Sequence, residues 1–244
     1  MTDLLLLSGA FASLLLAGCG AAFLVLPRHR PIALAELLGF GYLAGGAIVT
    51  LLSFAGSFLV SGLFLRVLVV IACAVVAAAG VARDRRLAGG SRRLQVTRRD
   101  LVVAAVPVVP AAAVAWLALR TPMAWDGVMT WEAKGRLAWM NGGGLPLSNL
   151  SQAYRFHPDY PLLVPLLEAW VYGWLGHVDQ VLVKVLFAGF MLAAMWLLAT
   201  AVTRLGLSAG WAALAAILPV CVPRLVVGEG SATSGYADFP LAAC

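Results

Sequence analysis

Residues 4–26 read LLLLSGAFASLLLAGCGAAFLVL, a run of 23 positions without a single charged side chain. About 20 apolar residues in an α-helix cross the roughly 30 Å hydrocarbon core of a bilayer. The run is therefore predicted to be a membrane-spanning helix. It ends at the basic, proline-flanked segment Pro27-Arg28-His29-Arg30-Pro31.

Apolar runs of similar length recur along the 244-residue chain. Of all residues, 62% are hydrophobic and only 11% are charged, whereas a typical soluble domain is about 25% charged. We therefore predict an all-α, polytopic membrane protein with six spans. They cover residues 4–26, 32–53, 63–81, 101–119, 181–202 and 209–227.

Glycine and proline give two local predictions inside these spans. Gly41 and Gly45 lie four positions apart in the second span, and this spacing lets a neighbouring helix approach closely. Pro107 and Pro110 lie in the fourth span, which we expect to be kinked because proline removes a backbone donor.

The basic residues predict an orientation. Seven arginines lie between residues 83 and 99, and Arg28, Arg30 and Arg204 lie in two further loops. With six spans, all three loops fall on one side, which the positive-inside rule assigns to the cytoplasm. The net charge of +6 is thereby explained without nucleic acid as a partner. The N-terminus and the loops 121–179 and 228–238 are expected together on the outer face.

The outer loop 121–179 contains five of the eleven acidic residues and five of the eight tryptophans. Asp126 follows the fourth span directly, and Lys134 and Arg136 come eight and ten positions later. A carboxylate at the water boundary can act as a general base, and nearby cations can hold a phosphate. The alternative is that these residues only anchor helices at the membrane interface.

A resemblance appears at these residues. In order, the chain has an Asp just after a span, a basic residue about ten positions later, the glycines 142–144, the pair His157-Pro158 and Asp238 at the start of a later helix. This order resembles the N-terminal part of the GT-C glycosyltransferases, the superfamily of protein O-mannosyltransferases and lipid A aminoarabinose transferases. The resemblance covers about residues 101–244.

The resemblance implies roles for particular residues. Asp126 corresponds to the family's catalytic base. Lys134, Arg136 and Arg155 would hold the donor phosphate, and His157, Lys184 and Asp238 would line the substrate cavity. Each has a structural alternative: headgroup contacts for the cations, a hydrogen bond before Pro158 for His157, and snorkelling for Lys184.

The chain departs from the family pattern at two places. Gly127 stands where family members often have a second acidic residue, which weakens any role that needs paired carboxylates there. Asp159-Tyr160-Pro161 replaces the end of the family's His-Pro-Pro-Leu motif.

The expected organisation has three parts. Residues 1–82 would form a three-helix membrane module, residues 83–100 a basic cytoplasmic loop, and residues 101–244 the GT-C-like region with its outer loop 120–180. Within that loop, residues 161–175 are expected to form an amphipathic helix along the interface. GT-C enzymes usually have about twice as many helices, so the resemblance implies that further spans follow Cys244.

The expected function is transfer of a sugar from a polyprenyl-phosphate donor to an unidentified hydroxyl or amine acceptor at the outer face of the plasma membrane. Membrane lipids are the other expected partners. A divalent metal near Asp126 and Asp238 is allowed, but no ligand spacing demands one. The four cysteines are isolated in apolar stretches and are predicted to be packing residues.

Two other functions remain open at this stage. A transporter or flippase for a lipid-linked anion would carry charges within its spans, and the predicted spans are poor in charges at mid-span; Glu36 and Arg66 lie near span ends. A non-catalytic membrane scaffold would tolerate removal of the outer-loop charges.

Overall fold

The computed structural model describes residues 2–27, 30–87, 94, 96–144 and 161–243. Every element named in these ranges is helical. The longer helices are α1 Thr2–Val25, α2 Leu34–Gly56, α3 Gly62–Leu87, α4 Arg98–Ala105, α5 Val108–Arg120, α6 Ala133–Met140, α7 Leu163–Leu175, α8 Val185–Arg204 and α9 Ala209–Cys221. Shorter pieces are α10 Pro223–Val226, α11 Asp238–Ala243, a π-helical turn Gly127–Glu132 and a 3-10 turn Leu182–Lys184.

Five helical segments among the described residues are long and apolar enough to cross a membrane. They are Thr2–Val25, Leu34–Gly56, Gly62–Arg86, Arg98–Arg120 and Leu182–Arg204. The first five predicted spans are therefore confirmed, and the chain is an all-α, multi-pass membrane protein.

Glycines bring α1 and α2 into backbone contact. A Cβ atom on Gly18 would collide with the carbonyl group of Gly41, and one on Gly45 would collide with the carbonyl group of Leu14. The close approach predicted from Gly41 and Gly45 is thus confirmed, and α1 is the partner helix. Small residues at a helix interface permit this contact because no side chain separates the backbones.

The kink predicted in the fourth span is a break between α4 and α5 at Val106 and Pro107. Pro107 has no N–H to donate, so the helical hydrogen-bond ladder is interrupted there. The indole nitrogen of Trp196 in α8 donates to the carbonyl of Ala104 at 2.8 Å. A side chain from a neighbouring helix thereby supplies one of the hydrogen bonds lost at the break.

The sixth predicted span is shorter than expected. Helix α9 has 13 residues, about 20 Å at 1.5 Å per residue, which is less than the hydrocarbon thickness of a bilayer. Pro219 lies in its last turn and Pro223 starts the separate helix α10. The prediction of one continuous helix over 209–227 is wrong: α9 ends at Cys221, and Val222 is extended because the following Pro223 disfavours a helical conformation there.

Helix α7 also differs from its prediction. The sequence predicts an amphipathic helix lying along the membrane interface, and eleven of its thirteen residues are buried against the rest of the protein. Its residues contact α1, α2 and α6: the Trp170 indole donates to Ser13 (3.1 Å), Thr50 donates to the carbonyl of Leu163 (3.5 Å), and Gly135 lies against Glu168. A strongly apolar composition on all sides is typical of a buried helix.

The two ends of the helix bundle have different chemistry. At the arginine end, defined by Arg30, Arg83, Arg99 and Arg204, both Arg30 and Arg204 pair with the Glu36 carboxylate. Arg83 donates to the carbonyl of Leu24 (3.1 Å) and Arg99 to that of Leu207 (2.5 Å).

The opposite end, here called the loop end, contains the loops 121–126 and 228–237. The amide of Ala124 donates to the carbonyl of Ser234 at 3.0 Å. The connection between α2 and α3 reaches the same end, where the Gly62 amide donates to the carbonyl of Gly142 at 2.7 Å. The loops 121–126 and 228–237 therefore lie away from the arginine loops, as the alternation of spans predicts.

Candidate functional site

Two loops far apart in sequence meet at the loop end. Besides the bond between Ala124 and Ser234, the amide of Asp126 donates to the phenol oxygen of Tyr236 at 3.3 Å. Gly127 allows this contact, because a Cβ there would lie 2.6 Å from the carbonyl oxygen of Ser234. The departure from the family pattern at residue 127 thus coincides with a close packing contact between the loops.

Asp126 lies at the start of the π-helical turn Gly127–Glu132 and is half-buried. The hydroxyl of the buried Thr130 donates to its Oδ1 atom at 2.5 Å. This bond fixes the position of one carboxylate oxygen. Isolated π-helical turns within α-helices are frequent at functional sites.

Tyr236 lies between the two predicted carboxylates in the chain's loop contact: its phenol bonds the Asp126 backbone, and it stands two residues before Asp238. Asp238 is exposed and lies close to Gly230, where an added Cβ atom would be 3.6 Å from Asp238 Oδ2. Burial raises the pKa of the Tyr236 phenol, and the charges of Glu229, Asp126 and Asp238 raise it further, while the hydrogen bond from Asp126 opposes the rise. The phenol is therefore within electrostatic reach of three carboxylates and stays protonated at neutral pH.

The predicted phosphate-binding cations have different environments. Lys134 is buried, and its ammonium nitrogen lies 5.8 Å from the ring centroid of Trp131. Positions 126, 130 and 134 are spaced by four residues and share one face of the helical run. Arg136 is exposed and its guanidinium lies 3.8 Å from the Glu132 carboxylate.

Lys184 is buried at the start of α8 and donates to the carbonyls of Ala118 and Thr121. Ala118 lies in the last turn of α5 and Thr121 directly follows the helix, where carbonyls lack intrahelical partners. Lys184 thereby holds the end of α5, from which the loop to Asp126 begins.

A second acidic pair was not among the predicted site residues. Glu132 and Glu168 are both fully buried, and the Tyr172 hydroxyl lies 3.4 Å from Glu132 Oε1. Within the described part of the chain, neither oxygen of Glu168 has a hydrogen-bond partner. Burial and the charge of Glu132 raise the pKa of Glu168 well above its ordinary value.

Two predicted site residues, Arg155 and His157, lie outside the described residues. Tyr236, Thr130 and Glu229 are additions to the predicted set. Tyr236 precedes Asp238 by two positions in the segment Gly235-Tyr236-Ala237-Asp238. This closeness to a candidate site residue is the feature of the sequence that could have identified Tyr236. In the ranges that the structure covers, no group of three or more His, Cys, Asp or Glu residues is arranged to hold a metal ion.

Comparisons with protein-family models, with curated proteins and with solved structures found no match to this chain.

Proposed function

We propose that the loop end is the active site of a membrane glycosyltransferase that uses a polyprenyl-phosphate sugar donor. The observation that carries the proposal is the contact between the loops of Asp126 and Asp238 through Tyr236. It joins the two loops that carry the carboxylates singled out by the resemblance, at the end of the bundle away from the arginine loops. By the positive-inside rule that end faces the outside of the plasma membrane.

In the proposed reaction Asp126 accepts the proton of the acceptor hydroxyl or amine. The acceptor atom then bonds to the anomeric carbon while the bond from that carbon to the phosphate oxygen breaks. The electron pair leaves with the polyprenyl phosphate, and one displacement inverts the anomeric carbon. Thr130 orients the Asp126 carboxylate, and Tyr236 fixes the backbone that carries it.

The cations would stabilise charge on the departing phosphate. Arg136 is exposed and supplies donors that suit a phosphate. Lys134 is next to the ring of Trp131 on the same helical face as Asp126, and we assign it the same task. For Lys184 we propose a positioning role, because its ammonium already binds two backbone carbonyls.

The test is sugar transfer by membranes containing the Asp126→Asn protein, with a panel of polyprenyl-phosphate hexoses and pentoses as donors. Asn keeps the size of the side chain but cannot accept the proton. A general base contributes roughly 10²- to 10⁴-fold, so at least a hundredfold loss is expected. Asp3→Asn is the matched control, since Asp3 lies in the first turn of α1 at the same end of the bundle. Equal activity of both variants would remove the proposed mechanism.

A further inference from the structure

A small cavity of about 50 Å³ lies between α2, α3, α6 and α7, apart from the Asp126 loop. Its walls include Ser53, Arg66, Trp139 and Trp170. The Gly62–Gly142 hydrogen bond places it at the loop end of the bundle. A water molecule needs about 10–15 Å³ on this scale, so the cavity has room for roughly three or four waters, close to the size of a phosphate group.

Arg66 gives this cavity a positive charge. It lies in the first turns of the spanning helix α3, is half-buried, and donates to the carbonyl of Gly173. None of the ion pairs formed among the described residues involves Arg66. A guanidinium has five N–H donors. The single hydrogen bond to the neutral carbonyl of Gly173 occupies few of these donors and does not balance the positive charge. A charged residue within a spanning helix is costly and marks a functional site by default.

Ser53 provides a second donor. Its side chain is 3% exposed, and its hydroxyl has no hydrogen-bond partner within the ranges that the structure describes. A buried hydroxyl without a partner is unfavourable. The cavity therefore contains two polar groups from different helices: the Ser53 hydroxyl, which has no partner among the described residues, and the Arg66 guanidinium, which has donors beyond the one bound to Gly173.

Glycines keep the cavity open. A Cβ on Gly173 would lie 3.0 Å from Arg66 Cδ, and a Cβ on Gly143 would lie 3.1 Å from Leu65 Cδ2. Gly143 also has a φ of +100°, which disfavours other residues. The walls thus leave space beside the guanidinium for a small ligand.

We propose that this cavity binds a phosphate oxyanion, with Arg66 supplying the charge and the Ser53 hydroxyl supplying a neutral hydrogen bond. Phosphate fits because it accepts several hydrogen bonds and matches the planar fork of a guanidinium. At the end of a spanning helix the phosphate can come from a lipid headgroup or from solution. This inference is independent of the proposed sugar transfer, because Arg66 and Ser53 have no part in that reaction.

The experiment measures ligand binding to the purified full chain in two arms. In the first arm, inorganic phosphate is titrated in detergent at constant ionic strength, with sodium chloride as the reference, and the melting temperature is followed. In the second arm, native mass spectrometry counts phosphatidylglycerol molecules retained from nanodiscs. Stabilisation in the first arm identifies free phosphate, and retention in the second arm alone identifies a headgroup.

Arg66→Gln is expected to weaken binding at least tenfold in whichever arm is positive, and Ser53→Ala to weaken it severalfold. Arg120→Gln is the matched control, because Arg120 lies at the same end and stacks on Trp116 at 4.4 Å. Arg66→Lys keeps a positive charge and is expected to retain part of the binding. Partial binding by this variant would show that the loss in Arg66→Gln comes from the missing charge and not from misfolding. No binding in either arm, or equal binding by the Arg66→Gln and Arg120→Gln proteins, would overturn the proposal.

Discussion

The amide of Asp126 donates a hydrogen bond to the phenol oxygen of Tyr236, a residue 110 positions later in the chain. This bond connects the loop after α5 with the loop before α11. It brings the carboxylates of Asp126 and Asp238 within electrostatic reach of one hydroxyl. The proposed active site depends on this connection.

Tyr236→Phe removes the acceptor while keeping the ring. We expect a loss of about 1 kcal/mol of stability, the usual net value of one hydrogen bond. Sugar transfer should fall more than binding of the donor, because the loop that carries Asp126 loses an anchor. Thermal melting and the separate values of kcat and KM measure these effects. A variant with unchanged kcat would show that Tyr236 does not position the base.

Glu168→Gln is expected to stabilise the protein, and more so at higher pH. The pKa of Glu168 in the folded protein is raised above its ordinary value of 4.5. Above that value the unfolded chain releases the proton while the folded chain retains it, so wild-type stability falls as pH rises toward the folded-state pKa. The Gln side chain does not titrate and avoids this loss.

Melting temperatures of the wild type and the Glu168→Gln protein at pH 5 and pH 8 measure the effect. The advantage of the variant should be larger at pH 8. Glu229→Gln serves as the control for removing any carboxylate from the loop end, since Glu229 is exposed. An advantage that is the same at both pH values would mean that Glu168 is ionised in the folded protein.

Gly18→Val tests the contact between α1 and α2. A side chain there meets the backbone of Gly41 and the amide of Gly45, and neither helix can yield without losing its packing. Overpacking of this kind costs about 1–3 kcal/mol or more. Gly210→Val is the control, because a Cβ at Gly210 meets only Ser208 Oγ, at 3.7 Å. Similar melting temperatures for the two variants would contradict the backbone contact.

The spans and their close contacts were predictable because they follow from local composition. An apolar run of about 20 residues has few alternatives in a membrane, and the spacing of Gly41 and Gly45 already indicated the α1–α2 interface. The break after Ala105 followed from Pro107. The shorter α9 was also predictable in principle, since Pro219 and Pro223 lie within the run.

The details of the site were harder to predict because they depend on contacts between distant segments. The role of Lys184 depends on where α5 ends, and the raised pKa of Glu168 depends on its burial against Gly135 and on the charge of Glu132. The burial of α7 has the same origin, because the residues around it come from three other helices. The type of residue at each of these positions does not show which distant segment its side chain will contact.

The most direct test of the central claim is the accessibility of the two loops in intact cells. Trp125→Cys and Glu229→Cys, each in a background with Cys19, Cys73, Cys221 and Cys244 replaced by Ser, are treated with a membrane-impermeant maleimide. Both positions are exposed, as is Arg85 near the arginine end. We predict that the two loop variants are labelled in intact cells and that Arg85→Cys is labelled only after permeabilisation. Labelling of only one loop, or of both only after permeabilisation, would contradict a shared site on the outer face.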